Sequence, residues 1–184
     1  MFFICAVIIG VILGYLRRGR ICHLASLRLR SWGLVVIALL IQLAIFPLFS
    51  EQPLFPYATT LLHFLSYGLI FLFLFLNHHV RSFCLVGLGS FLNLLVISLN
   101  GGYMPSSLTA LERSGAKEVA AHLLEKGVHG NVILMSGETS LNFFGDFLYL
   151  PWRQPFVSAF SIGDLLLALG LIGLIAQGMK HPAS

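Results

Sequence analysis

Asp146, in Gly145-Asp146-Phe147, and Asp164, in Ser161-Ile162-Gly163-Asp164, stand 18 positions apart near the end of the chain, and Asp164 heads its last apolar run. A carboxyl group in a membrane-grade segment costs on the order of 3 kcal/mol or more on insertion scales, so such a residue calls for a partner and a purpose. Two carboxyls facing one water can divide the work of hydrolysis. One stays ionised and takes a proton from the water, while the other stays protonated and polarises a scissile carbonyl; like charges at close range push the two pKa values apart. That chemistry is expected to use no metal and no cofactor. His122 and His129 lack a further ligand at metal spacing such as HExxH. Cys5, Cys22 and Cys84 form neither a CxxC motif nor a disulfide framework and read as packing residues.

The acids need elements to hold them. Of 184 residues 58% are hydrophobic and 10% charged, with a mean hydropathy of +0.92, a composition foreign to soluble domains. The expected fold is an all-α integral membrane protein of about five transmembrane helices, one domain over 1–184, with spans near 1–16, 32–49, 60–77, 83–99 and 156–179. The first run is followed, not preceded, by its positive charges, which argues for a retained helix and against a secretory signal. The net charge of +4 reports topology and not a nucleic-acid partner. Arg17, Arg18, Arg20, Arg28, Arg30, Arg81 and Lys180 occupy one set of loops and termini; Glu51, Glu112, Glu118, Glu125, Glu138 and Asp146 occupy the other. Basic short loops stay cytoplasmic, so the N-terminus and the acidic loops belong outside the plasma membrane and the C-terminus inside. The stretch 17–30 would then face anionic lipid, and His78 and His79 would be solvated beside Arg81.

The acidic side carries one large insertion, 100–155. It opens with Asn100-Gly101-Gly102-Tyr103-Met104-Pro105, a turn signal. A surface helix over 106–126 should follow, capped by Ser106 or Ser107, broken near Gly115 and stopped at Gly127, with Leu108, Leu111, Val119, Leu123 and Leu124 along one face toward the membrane. From 131 to 152 the chain turns apolar again between Gly137 and Gly145, which suggests a segment lying on or dipping into the outer face, with Tyr149 and Trp152 at the interface and Asp146 near the surface. A helix starting near 156 rises about 1.5 Å per residue and would carry Asp164 roughly 12 Å inward. His63, Ser66, Asn93, Asn100 and Ser161 converge on a similar depth in the outer third of the bilayer. Buried polar groups need partners, so that convergence is what a polar cavity looks like in sequence; helix-to-helix hydrogen bonding explains the small polar residues equally well.

The text around the acids resembles the C-terminal part of lipoprotein signal peptidase (signal peptidase II). Asp146 and Phe147 stand at that family's V-V-D-F-like motif, and Phe160 and Asp164 at its F-N-x-A-D motif, followed by Gly170. Ser161 replaces the asparagine, Gly163 the alanine, and the G-N-x-x-D-R motif is reduced to Gly130-Asn131. The resemblance covers about 25 residues and implies that Asp146 and Asp164 are the catalytic pair of an aspartyl peptidase acting on a membrane-inserted peptide or lipoprotein. Over nearly its whole length the chain is similar to an uncharacterised bacterial multi-pass membrane family, a domain of unknown function. The residues that carry this are Asn100-Gly101-Gly102-Tyr103-Met104-Pro105, the neighbourhood of His63 and Asn77, and Ser161-Ile162-Gly163-Asp164.

The expected activity is therefore hydrolysis near the outer membrane face by Asp146 and Asp164, with Asn100, His63, Ser161 and Asn93 orienting substrate or water. Two readings of other classes stand beside it. A carrier or lipid- or small-ligand-binding protein would use Asp164 and His63, and an accessory subunit would fill the cavity with a partner helix. The sequence leaves the oligomeric state open. All three rest on one topology, which predicts that a cysteine replacing Glu118 is labelled by an impermeant thiol reagent from outside the cell whereas Cys22 is not; the reverse pattern would put the acids at the wrong face.

Overall fold

The computed structural model describes residues 2–46, 58–150 and 159–180. Long apolar runs satisfy their backbone internally as helices, and the runs give α1 (Phe2–Leu16), α2 (Gly33–Ile45), α3 (Thr59–Leu76) and α4 (Ser82–Leu99). Helix α2 ends at Ile45, and Phe46, which precedes Pro47, leaves the helical region at φ −128° and ψ 71°, because a proline disfavours helical dihedrals in the residue before it. The insertion supplies β1 (Met104–Ser106), α5 (Leu108–Arg113), α6 (Lys117–Lys126), β2 (Val128–His129) and β3 (Val132–Leu134), and α7 (Ile162–Gly178) completes the chain. Among the described residues, α3 and α4 are long and apolar enough to cross a membrane, while α1, α2 and α7 are shorter apolar helices. The expected ends near 49 and 156, together with Glu51 and Trp152, lie outside the described residues.

Helix α7 packs against both α1 and α4, and α2 pairs with α3. Small residues make these approaches close, as in packed membrane helices. A Cβ on Gly10 would meet the Ile175 side chain at 3.0 Å, one on Gly170 would meet Val86 Cγ2 at 2.6 Å, and one on Gly163 would strike Asn93 Oδ1 and the Gly89 carbonyl oxygen. At one end of the bundle the Arg20 N–H donates to Met179 O at 2.8 Å, with His23 Nδ1 3.0 Å from the same oxygen. The Arg30 N–H donates to Asn77 Oδ1 at 2.8 Å while Asn77 Nδ2 donates to Arg30 O at 2.9 Å. These ties gather the basic segments at one end of the helices and leave the insertion at the other. His78 and His79 are exposed there, and Cys5, Cys22 and Cys84 are free.

The insertion differs from expectation in kind. Beyond the expected turn and surface helix, it builds a small sheet of order β1-β3-β2, with β1 parallel and β2 antiparallel to β3, that takes in 132–134 of the apolar stretch. The expected helix over 106–126 starts at Leu108, because Ser106 is in β1 and Ser107 is the N-cap, accepting from the Ala110 N–H. It breaks around Gly115, whose φ is 86°, and stops at Gly127 in the left-handed conformation at φ 75°, as a helix C-terminus favours. The leucine face looks inward. Leu111 and Leu123 are buried with Ala110, Ala116 and Ala120 against Val132, Leu134 and Tyr149, and only Leu124 is well exposed, at 61%. A small sheet has an apolar face that must be covered by something, and α5 and α6 cover it, so Leu111 and Leu123 are core residues, while Leu124 stays exposed.

Because the α4–α7 contact admits no side chain at Gly163, Gly163→Ala should destabilise the protein by about 1–3 kcal/mol through overpacking. Gly68→Ala, where a Cβ meets nothing within 4 Å, should leave the unfolding midpoint unchanged or slightly raised, because alanine replaces glycine inside a helix. Thermal unfolding of the detergent-solubilised chain reads both.

Candidate functional site: a cavity with two carboxyl groups

Short backbone ladders erase the sequence distance between the two acids. The Asp146 N–H donates to Pro105 O and the Ser107 N–H donates to Asp146 O, both at 2.9 Å, which fixes Asp146 beside β1. Two residues further on, Leu148 and Phe160 exchange N–H···O bonds of 3.0 and 2.9 Å, the antiparallel bridge that leads the chain into α7. Ser161 follows as the N-cap. Its Oγ accepts from the Asp164 N–H at 2.9 Å and its N–H donates to Asp164 Oδ2 at 3.0 Å, a reciprocal capping box.

Asp164 therefore lies in the first turn of α7 and not some 12 Å inside a helix. Phe160 lies in a strand-like bridge and Ser161 is the N-cap, so α7 begins at Ile162, later than the expected start near 156. At the helix N-terminus the backbone dipole favours a negative charge. Asn93 on α4 completes the arrangement: its Nδ2 donates to Asp164 Oδ1 at 2.9 Å and its Oδ1 accepts from the Ser161 hydroxyl at 2.9 Å. Both oxygens of Asp164 thus accept hydrogen bonds, the pattern that suits a carboxylate.

Asp146 is in the opposite situation. Its Oδ1 is buried without a hydrogen-bond partner. Burial holds the acid well above the usual carboxylate range, and the charge of Asp164 pushes in the same direction.

Both acids line one cavity of about 340 Å³ at the end of the bundle beneath the insertion. His63 and Tyr67 reach it from α3, Gln42 from α2 and Asn93 from α4, with Asn131 on the insertion side. Phe3, Ile97, Met104, Val132 and Leu167 supply its apolar wall. The His63 ring is edge-on to Phe46 at 5.0 Å and tilted against Tyr67 at 5.4 Å. Of the residues expected at the site, Asp146, Asp164, His63 and Asn93 share the cavity, and Ser161 is fully buried behind it. Asn100 does not line it. Its amide donates to Val96 O and Ser140 O and accepts from the Ser140 N–H, pinning the insertion to the end of α4. An asparagine just past a helix end has free backbone carbonyls within reach, which is why it works as a clamp there.

Gln42 and Tyr67 were not singled out by sequence, and Asn131 was noted as a motif remnant and not as a site residue. A signal existed for the first two: Gln42 is the lone strongly polar side chain in α2, and Tyr67 follows His63 by four residues, hence on the same helix face. Gln42 Nε2 donates to Ser66 Oγ at 2.6 Å. His122 and His129 have ring centroids 4.8 Å apart, and no group of three or more metal-binding side chains occurs among the described residues.

The raised pKa of Asp146 makes stability depend on pH with a definite sign. Between the ordinary carboxylate pKa and the higher folded-state value, the folded chain holds a proton that the unfolded chain has lost, so this contribution is full in acid and fades as pH rises through the folded value. Asp146→Asn removes the titration. Thermal unfolding from about pH 4 to 8 should show the wild type losing stability relative to Asp146→Asn as pH climbs; parallel curves would contradict the buried acid.

No solved structure matches the chain. An uncharacterised protein of Thermotoga maritima is 29% identical over 109 residues, which are 58% of each chain, so the match spans little more than half of that relative's length. The model of a family of unknown function, DUF5317, matches residues 26–176, a stretch that holds α2 through nearly all of α7 and both acids. The chain belongs to that family.

Proposed function

We propose that the protein is a membrane-embedded aspartyl hydrolase that cleaves a membrane-inserted peptide or lipoprotein near the outer face of the plasma membrane. The observation that carries this reading is that Asp146 and Asp164 line one cavity in contrasting environments, one with a buried carboxyl oxygen that lacks a hydrogen-bond partner and the other held by two donors. The contrast suggests the division of labour. Asp164 takes a proton from water as the water oxygen attacks the carbonyl carbon, and Asp146 gives its proton to the carbonyl oxygen. On collapse the C–N bond breaks, the nitrogen takes the proton from Asp164, and Asp146 regains its own from the hydroxyl. Asn93 orients the base, and His63 faces the same space. The apolar surface of α1 to α4 supports lodging in lipid, with the basic end cytoplasmic and the N-terminus outside.

The test compares membrane fractions of a deletion strain that carries wild type, Asp146→Asn, Asp164→Asn or the double variant at matched abundance. Mass spectrometry of protein N-termini should find ends made only by the wild type. Each single variant should lose roughly 10²-fold or more of that signal, and the double should be no worse, because the acids act as a unit. The second reading, a carrier or ligand-binding protein built on Asp164 and His63, draws on their sharing the cavity. Full function in Asp146→Asn beside loss in Asp164→Asn would favour it and end the paired mechanism.

A further inference from the structure

The cavity carries a charge imbalance that the hydrolase reading does not use. Among the described residues, its lining holds two carboxyl groups and neither lysine nor arginine. The basic residues of the bundle collect at the opposite end, where Arg20 and Arg30 are tied to Met179 and Asn77. On the insertion, Arg113 donates to the Tyr149 hydroxyl at 2.9 Å, away from the acids. A buried carboxyl oxygen without a donor is costly, and Asp146 Oδ1 is such an oxygen, on the wall of a space large enough for a ligand. Small-ligand sites start near 300 Å³, so about 340 Å³ holds a head group and a short stem.

We propose that this cavity is a binding site for a primary ammonium group carried on an apolar stem. An alkylammonium has three N–H donors and a full positive charge. One donor meets the orphan Oδ1 of Asp146, a second meets the carboxyl group of Asp164, and the Tyr67 ring offers the cation a π face. The stem lies along Phe3, Ile97 and Leu167. An anionic head of the same size meets two acids and no cation among the described lining residues, so phosphate- and carboxylate-bearing ligands are disfavoured. Joined to the hydrolase reading, on which this extension rests, the site selects amides: R–CO–NH–R′ and water give R–COO⁻ and R′–NH₃⁺, and the cavity retains the ammonium half while it repels the carboxylate half.

The probes are n-octylammonium, n-octanoate, n-octyl phosphate and n-octanol, added to the full chain in a non-ionic detergent, with unfolding temperature and calorimetric binding as readouts. Octylammonium should raise the midpoint by several degrees, since a ligand of the folded state stabilises it, and should bind at least 10-fold more tightly than the other three. Asp164→Asn should remove that preference, and Tyr67→Leu should weaken it. Equal binding of octanoate or octanol, or undiminished octylammonium binding to a folded Asp164→Asn, overturns the site. Asp146→Asn, which removes the acid with the orphan oxygen and leaves the Ser161–Asn93–Asp164 bonds untouched, keeps the proposal falsifiable should Asp164→Asn fail to fold: loss of the octylammonium preference supports it and an undiminished preference overturns it. Nanodiscs locate the source of the amine. Stabilisation by phosphatidylethanolamine over phosphatidylcholine assigns it to a lipid head group, and equal stabilisation with the octylammonium preference intact assigns it to a peptide or soluble amine. Octylammonium selectivity without wild-type-dependent N-termini would retire the hydrolase and leave the amine site standing.

Discussion

The hydrogen-bonded triangle of Ser161, Asn93 and Asp164 governs the arrangement around it. It caps α7, it fastens α7 to α4, and it sets the direction of the only acidic side chain on a helix of the apolar bundle. Each partner is committed twice. The Ser161 hydroxyl accepts from α7 and donates to α4, and the Asn93 amide accepts from the serine and donates to the acid. Fully satisfied polar networks specify one geometry, whereas half-satisfied ones are costly. The close approach of Gly89 and Gly163 is what lets so short a side chain as Asn93 span the gap.

From this corner the organisation of the molecule follows. With α7 anchored at its start, the Leu148–Phe160 bridge and the Ser106–Asp146 bridge draw the insertion down over the helix ends. The sheet and its two covering helices form a roof with their own small core, and Asp146 is carried on its underside. At the far end the Asn77–Arg30 and Met179–Arg20 ties keep the charged segments together. The polar cavity and the basic end are thus separated by the length of the helices.

Sequence patterning made the helical bundle legible because long apolar runs have few structural solutions. It also disclosed the break at Gly115, the stop at Gly127 and the Ser107 cap, where local chemistry decides conformation. The sheet escaped it: β1, β2 and β3 are two or three residues each, too short for an alternating pattern to emerge. For the same reason the leucines of α5 and α6 looked like a membrane face, since an amphipathic helix shows which side is apolar and not what lies against it. At the site, isolated acids and a histidine in apolar text stood out, while Asn100 was misplaced because its type and depth match a cavity residue and only its actual partners reveal a clamp.

The two bridges also change what separates the acids. The chain leaves the ladder at Leu148 and rejoins it at Phe160, so the intervening residues form an excursion whose two ends are neighbours. The rungs at Asp146 and at Leu148–Phe160, and not the interval of 18 positions in sequence, set where both carboxyl groups lie. Among relatives, a fixed count between the aspartates would be a poor guide to a shared site. A strand-like residue just ahead of a serine-capped helix, matched to a second one shortly after the first acid, would be the better one.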